Sequence, residues 1–185
     1  MMLDAVDGEE LVVLLQRLIR AASPDPPGDE RGVAAVVAAE LEGRGLAPTV
    51  DEFAPGRFNV TARVRGAGER PALVFSAHMD TLPAGEGAWT HPPFDGVRAD
   101  GHVYGRGACD MKSGLAAMIV AAAALERADV PPPGDVILAV TGGESSNCLG
   151  ARRLAATDAL ADAGALLVSE PSSLAVRSEE HTSEL

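Results

Sequence analysis

The sequence Ser-Ala-His-Met-Asp-Thr at residues 76–81 continues a short apolar run, residues 72–77, which predicts a strand buried on both faces. Polar segments follow two other predicted strands, at residues 141–146 and 169–171, and residues 105–114 lead into a predicted helix. In an open α/β sheet, ligands bind outside the carboxyl ends of the strands. The sequence therefore predicts an α/β fold in which four segments converge on one polar site.

The order of the predicted elements supports this fold class. Strands that alternate with helices form a sheet with helices on both faces. We therefore predict a three-layer α/β sandwich with a mixed, mostly parallel sheet. Helices are predicted over residues 8–22, 29–43, 111–127 and 149–157, and strands over residues 46–53, 58–64, 72–77, 136–140 and 165–169. The Pro- and Gly-rich residues 81–95 are long enough to predict a functional loop.

The composition limits the partners and the location. The 185 residues carry a formal net charge of −12, which disfavours binding to nucleic acid or to an anionic membrane. The apolar run at residues 115–125 is too short to span a bilayer, and the acidic start lacks the basic region of a signal peptide. Two cysteines give no disulfide framework. We therefore predict a cytoplasmic protein without nucleic-acid or membrane partners.

His78 and Asp80 are the first candidate site residues. They are two positions apart at the end of a predicted strand, so the two-residue period points both side chains to the same side. Histidine is a ligand for zinc, cobalt or nickel, and a nearby carboxylate can orient its ring. Taken alone, the pair could equally be two ordinary polar residues at a strand end.

Three further carboxylates complete the candidate set. Asp110 follows a Gly-Arg-Gly turn near a helix start, Glu144 follows the strand at residues 136–140, and Glu170 follows the strand at residues 165–169. Taken alone, Asp110 could be a helix cap, Glu144 a glutamate at a helix entry, and Glu170 a charged loop residue. A carboxylate beside a metal-bound water is the usual general base in hydrolysis, so Glu144 is the candidate base.

The order and spacing of these segments resemble one metallohydrolase family. Its members include acetylornithine deacetylase, succinyl-diaminopimelate desuccinylase, aminoacylase and glutamate carboxypeptidase. The resemblance extends over roughly residues 8–176 and is carried by residues 76–82, 89–94, 104–114, 141–152 and 169–172, with support from Asn59 and residues 26–30.

The resemblance implies a zinc-peptidase-like catalytic domain with two divalent ions per site, usually zinc or cobalt. His78 would bind one ion, Asp110 would bridge both ions, and Glu170 would complete the first site. Asp80 would orient His78, and Glu144 would deprotonate the attacking water and pass the proton to the leaving amine. The resemblance also implies a cis peptide after Asp110. The reaction would be hydrolysis of an N-acyl amino acid or a peptide.

The chain departs from the family at Ser145. The family has two adjacent glutamates, and counting back from residues 150–152 puts Glu144 at the base position and Ser145 at the position of the second ion's ligand. A one-residue gap would instead make Glu144 the ligand and leave Gly143 at the base position. Either alignment predicts that one metal site is impaired, so that one ion binds instead of two, or that another residue replaces the missing ligand.

The end of the chain is the second departure. Residues 177–185, Arg-Ser-Glu-Glu-His-Thr-Ser-Glu-Leu, are what a common sequencing adapter gives when translated, so we predict a non-native tail. Residues 1–176 would be the amino-terminal part of the catalytic domain. The family's inserted dimerisation domain and the rest of its catalytic domain would be absent.

These departures leave several interpretations of the chain open. The leading interpretation is an amino-terminal fragment of a metal-dependent amidohydrolase that is inactive alone and forms a homodimer only at full length. A catalytically impaired metal-binding relative, an unstable fragment without function and a zinc aminopeptidase of similar architecture are the alternatives.

Overall fold

The computed structural model describes residues 7–172. Within that range the α-helices and strands follow the predicted order closely. The α-helices are α1 (Gly8–Arg20), α2 (Arg31–Gly43), α3 (Ser113–Glu126) and α4 (Leu149–Ala155). The strands are β1 (Thr49–Ala54), β2 (Arg57–Val64), β3 (Ala72–His78), β4 (Val97–Ala99), β5 (His102–Tyr104), β6 (Val136–Thr141) and β7 (Ala163–Val168).

Five strands form one mixed sheet in the order β1-β2-β6-β3-β7. β3 pairs in parallel with both β6 and β7, whereas β2 is antiparallel to β1 and to β6. Four of the five strands therefore point the same way, and the carboxyl ends of β3, β6 and β7 meet at one edge. The predicted mixed, mostly parallel sheet is confirmed.

β6 is the centre of the three layers, and all six of its residues are buried. Val136, Leu138 and Val140 belong to the cluster that packs against α1, α2 and α3. Ile137 and Ala139 belong to a smaller cluster with Leu154 of α4 on the opposite face. Because alternate side chains enter the two clusters, the sheet lies between two helical layers, as predicted.

The helix α3 is apolar on all sides. Among the described residues, the segment Ala108–Glu126 is long and apolar enough to cross a membrane by length and composition, and 56% of its apolar window is buried inside the fold. A helix that is apolar all round is expected to be buried. Eight α3 residues, from Leu115 to Ala124, are buried, so this segment serves as a core helix in the fold.

The structure corrects two local predictions. The helix predicted from residue 111 begins at Ser113, because Asp110 and Met111 have non-helical backbone angles within a π-type turn at Ala108–Lys112. The sequence analysis also missed the β4–β5 hairpin. Its turn is Asp100-Gly101 with φ angles of 50° and 76°, and an Asp-Gly pair with positive φ is a strong hairpin signal.

We predict that Leu138→Ala lowers the free energy of unfolding by about 2–5 kcal/mol, because it leaves a cavity at the centre of β6. Leu138 has no exposed surface, whereas Leu166 in β7 is 61% exposed. Leu166→Ala is the matched control and should change stability by less than about 1 kcal/mol. Urea unfolding of both variants checks this, and equal losses would contradict the described core.

Candidate metal centre

The candidate site lies where β3, β6 and β7 end. In the parallel register His78 is opposite Thr141, and Ser76 is opposite Val168. The residues that follow these strands therefore emerge at the same edge, as the sequence predicts.

The orientation of the His78 ring is fixed by its neighbour two residues along. The Nδ1 atom lies 2.9 Å from the main-chain oxygen of Asp80. Since a carbonyl oxygen can only accept a hydrogen bond, Nδ1 donates to it and Nε2 faces the cleft. The Asp80 carboxylate is farther away, with Oδ1 3.7 Å from Nδ1. The ring is thus oriented for Nε2 to act as a ligand.

His78, Asp110 and Glu170 form a group whose potential ligand atoms all lie within 4.8 Å of one another. The Nε2 atom of His78 is 3.1 Å from Oδ1 of Asp110 and 3.5 Å from Oε1 of Glu170. One imidazole nitrogen and two carboxylates are ligand types that zinc takes in proteins. The donor set therefore fits a divalent cation.

The electrostatics of this group also favour a cation. Burial raises the pKa of the Glu170 carboxyl, and the negative charges of Asp110 and Glu144 raise it further. Positive charge on His78 would act in the opposite direction. Carboxylates held this close repel each other, and a bound cation relieves that repulsion.

The turn that carries Asp110 requires a glycine. Gly107 has a φ of 79°, and a Cβ there would overlap the Cγ2 atom of Thr81. The Asp110–Met111 peptide is cis, as the resemblance implies. The backbone amide of His78 also points to Met111, with 3.1 Å between its nitrogen and the sulfur. The turn therefore packs closely against the end of β3.

Lys112 anchors the same turn to α1, and sequence reasoning missed it. Its side chain is fully buried, and Nζ donates hydrogen bonds to the main-chain oxygens of Leu18 (2.8 Å) and Ala21 (3.0 Å). Burial lowers the pKa of Lys112 to about 7, although the charge of Asp80 opposes this. The amino group satisfies carbonyl groups that would otherwise be unpaired at the helix end.

The carboxylate of Asp80 holds the loop after β6. Asp80 is fully buried, and its two oxygens accept hydrogen bonds from the backbone amides of Glu144 (2.9 Å) and Ser145 (3.0 Å). Hydrogen bonds from amides to a carboxylate are among the stronger ones in proteins. The carboxylate predicted to orient His78 therefore binds the segment that carries Glu144 and Ser145 instead, and the main-chain oxygen of Asp80 holds the ring.

Glu144 borders two adjoining hollows at this edge. The larger has a volume of about 480 Å³, and its lining includes His78, Asp110, Glu144 and Ser145. The second, of about 200 Å³, is lined by His78, Glu144 and Glu170 among others. All five predicted site residues, with Ser145, therefore lie around one cleft or directly support it.

Among the described residues, the two other histidines do not join this group. Within residues 7–172, His91 and His102 lie beside Tyr104, with ring centroids 4.6 Å and 6.0 Å from its ring. His181 lies outside the described residues, as does the whole predicted tail at residues 177–185.

Comparison with known proteins identifies the family. The family model for peptidase family M20/M25/M40 matches residues 74–180, which is more than half of the chain. The chain belongs to peptidase family M20/M25/M40. The sequence prediction that the chain is a member of this metallohydrolase family is therefore confirmed.

The curated relatives that match this M20 chain include two bacterial succinyl-diaminopimelate desuccinylases. The one from Methylobacterium radiotolerans is 44% identical over 136 residues, covering 71% of this chain and 34% of the relative. The one from Paracoccus denitrificans is 45% identical over 133 residues, with the same two coverages. The chain thus spans about a third of the length of these relatives.

Solved M20-type structures share the fold. Human carnosine dipeptidase 1 aligns with a TM-score of 0.72 at 21% identity, covering 88% of this chain and 38% of its own. A Staphylococcus aureus tripeptidase aligns with a TM-score of 0.68 at 25% identity, with coverages of 89% and 43%. The predicted fold class is confirmed by these likenesses.

We predict that His78→Ala weakens Zn²⁺ binding by about a hundredfold or more, since even outer-shell partners of a ligand contribute about 10–100-fold. His102→Ala is the control, because His102 is exposed on the hairpin. Competition titration against a coloured chelator measures both. Equal affinities in the two variants would mean that the group around His78 does not hold the ion.

Proposed function

We propose that the protein to which this chain belongs hydrolyses the amide bond of an N-acyl amino acid or a peptide at the cleft around His78. One observation carries the proposal. A three-ligand group, His78, Asp110 and Glu170, lies beside Glu144 in the same cleft. Metal ligands next to a free carboxylate are what metal-assisted hydrolysis requires.

The proposed ion is zinc or cobalt, which suits a site with one imidazole and two carboxylates. His78, Asp110 and Glu170 would hold it, with Asp110 also facing a second ion where one binds. A bound divalent ion polarises the amide carbonyl and lowers the pKa of water.

The proton transfers fall to Glu144. Its carboxylate would take a proton from the attacking water as the new carbon–oxygen bond forms. It would then give that proton to the nitrogen as the carbon–nitrogen bond breaks, so that the amine leaves neutral. Asp80 would support this step by fixing the backbone of Glu144 through the 2.9 Å hydrogen bond.

The names of the relatives favour an acylated amino acid as substrate. Two relatives at 44% and 45% identity are desuccinylases, so an N-succinylated amino acid is the first substrate to test, with dipeptides second. The chain's net charge of −12 supports a small-molecule partner rather than nucleic acid or an anionic membrane. A cytoplasmic location belongs to the same proposal.

We also propose that residues 1–176 are the amino-terminal part of a longer catalytic domain, with residues 177–185 as a non-native tail. The coverage of about a third of the relatives supports this. The exposure of β7 supports it as well. All six residues of β7 are exposed, and the exposed fractions of Leu166 and Leu167 are 61% and 52%. A strand this apolar is normally covered. In this proposal the full-length protein is the active form and the homodimer.

Glu144→Gln in the full-length protein is expected to lower kcat by about 10²–10⁴-fold, because the amide cannot carry the proton. Zn²⁺ content should stay unchanged, since Glu144 lies outside the ligand group. Glu86→Gln, at an exposed loop position, is the control and should hydrolyse the succinylated substrate normally. Wild-type turnover by the Glu144 variant would refute the proposed base.

A catalytically impaired relative is the second candidate, and Ser145 is the observation that favours it. Ser145 lines the larger hollow together with Asp110. A neutral hydroxyl is a far poorer ligand for a dication than a carboxylate. In this interpretation the chain binds one ion at the His78 group and leaves the second metal site empty.

Ser145→Glu is accordingly expected to strengthen binding of a second Zn²⁺ by about tenfold or more, equivalent to about 1.4 kcal/mol. Asn147→Glu adds the same charge to the same hollow and should leave the second binding step unchanged. Metal titration followed by elemental analysis distinguishes the variants. If both variants respond alike, bulk charge explains the effect and the alignment of Ser145 with the ligand position fails.

A further inference from the structure

A buried charged cluster lies beneath the loop that carries Glu144, and the proposed chemistry does not use it. The cluster consists of Asp25, Glu30 and Arg57, which are 2%, 0% and 7% exposed. The Nη2 atom of Arg57 is 2.7 Å from Oδ2 of Asp25 and 3.3 Å from Oε1 of Glu30. Burying three charged groups is costly unless they are paired, and it often adds no net stability.

The loop backbone rests directly on this cluster. A Cβ at Gly143 would overlap Nη2 of Arg57, and a Cβ at Gly142 would lie 2.7 Å from Oε2 of Glu30. A Cβ at Gly28 would overlap the other side of the same guanidinium group. The Arg57 side chain is therefore held between two glycine backbones, one of which belongs to the loop.

Side-chain contacts extend the connection along the loop. The Arg57 guanidinium holds the pKa of Asp25 below its ordinary value, and a hydrogen bond with Ser146 contributes in the same direction, although burial opposes both. The next residue but one in β2, Asn59, donates to the main-chain oxygen of Gly150 at 2.9 Å. The first residues of β2 thus contact Gly142 and Gly143 at the start of the loop and Gly150 in the first turn of α4.

The loop is fixed from the other side by Asp80, which accepts hydrogen bonds from the amides of Glu144 and Ser145. The two supports are independent, because Asp80 follows β3 whereas Arg57 begins β2. The hydrogen bonds from Asp80 hold the amides of Glu144 and Ser145, whereas Gly143 packs against Arg57 and Gly142 against Glu30.

We propose that Arg57, held by Asp25 and Glu30, is a positioning residue that keeps the Glu144 loop in the geometry needed for proton transfer. The inference rests on the proposed role of Glu144 only for its catalytic consequence. The structural consequence, a loop that opens when Arg57 is altered, can be measured without any activity.

The test is residue-resolved amide hydrogen exchange in this chain with two variants. Arg57→Lys keeps the charge and removes the planar fork. Gly142→Ala, at a position without a positive φ, pushes on Glu30 of the same cluster from the loop while keeping all three side chains of the cluster. Both should speed exchange at the amides of Glu144 and Ser145 by about tenfold or more through local opening. Exchange at Leu138 in the centre of β6 should stay at the wild-type rate.

Arg44→Lys is the matched control. The Arg44 side chain is buried to a similar degree, 6% exposed against 9% for the Arg57 side chain, and it also pairs with two carboxylates, those of Glu10 at 2.7 Å and Glu40 at 2.6 Å. Faster exchange at Glu144 in this control, or equal acceleration at Leu138 in the Arg57 variant, would show a general loss of stability and overturn the inference. Wild-type exchange at Glu144 in both test variants would overturn it as well.

A kinetic measurement separates this inference from the proposed function. In the full-length protein, Arg57→Lys should lower kcat at least about tenfold while KM and Zn²⁺ content stay close to wild type. A rise in KM with unchanged kcat would contradict a positioning role. Absence of hydrolysis in the wild-type protein would refute the proposed function and leave the exchange result as the sole measure of the loop contact.

Discussion

The parallel register of β3 with β6 and β7 determines where His78, Glu144 and Glu170 lie relative to one another. It puts His78 opposite Thr141 and brings the end of β7 beside Ser76. A slip of one residue would turn each side chain to the opposite face and would separate His78 from Glu144 and Glu170. The completely buried β6 between β2 and β3 prevents such a slip, because its alternate residues fill two different cores.

Much of this arrangement could be predicted from the sequence, because its signals are local. The apolar run before His78, the two-residue spacing to Asp80 and the polar residues after each strand are all visible within a few positions. The β4–β5 hairpin was also visible in its Asp100-Gly101 turn, and missing it was an error of interpretation. The predicted start of α3 at residue 111 was wrong. The π-type turn at Asp110 is set by packing against β3 rather than by local helix propensity.

The supports of the site could not be predicted, because they depend on contacts between distant segments. Lys112 reads as an ordinary helix-start lysine until α1 places the oxygens of Leu18 and Ala21 around it. Arg57 begins the antiparallel strand β2, whose amino end lies at the same edge as the carboxyl ends of its neighbours. Nothing in its local sequence indicates that its partners are Asp25 and Glu30.

The charge distribution around the cleft explains what serine at position 145, where the family has a glutamate, would change. Asp110, Glu144 and Glu170 already place three carboxylates around the His78 ring, and their mutual repulsion adds to burial in raising the pKa of Glu170. A fourth carboxylate at position 145 would increase that repulsion unless a second cation offset it. With serine there, one divalent ion at the His78 group leaves less negative charge uncompensated. This charge balance supports the proposal that one divalent ion binds at the His78 group unless a further anionic ligand is supplied.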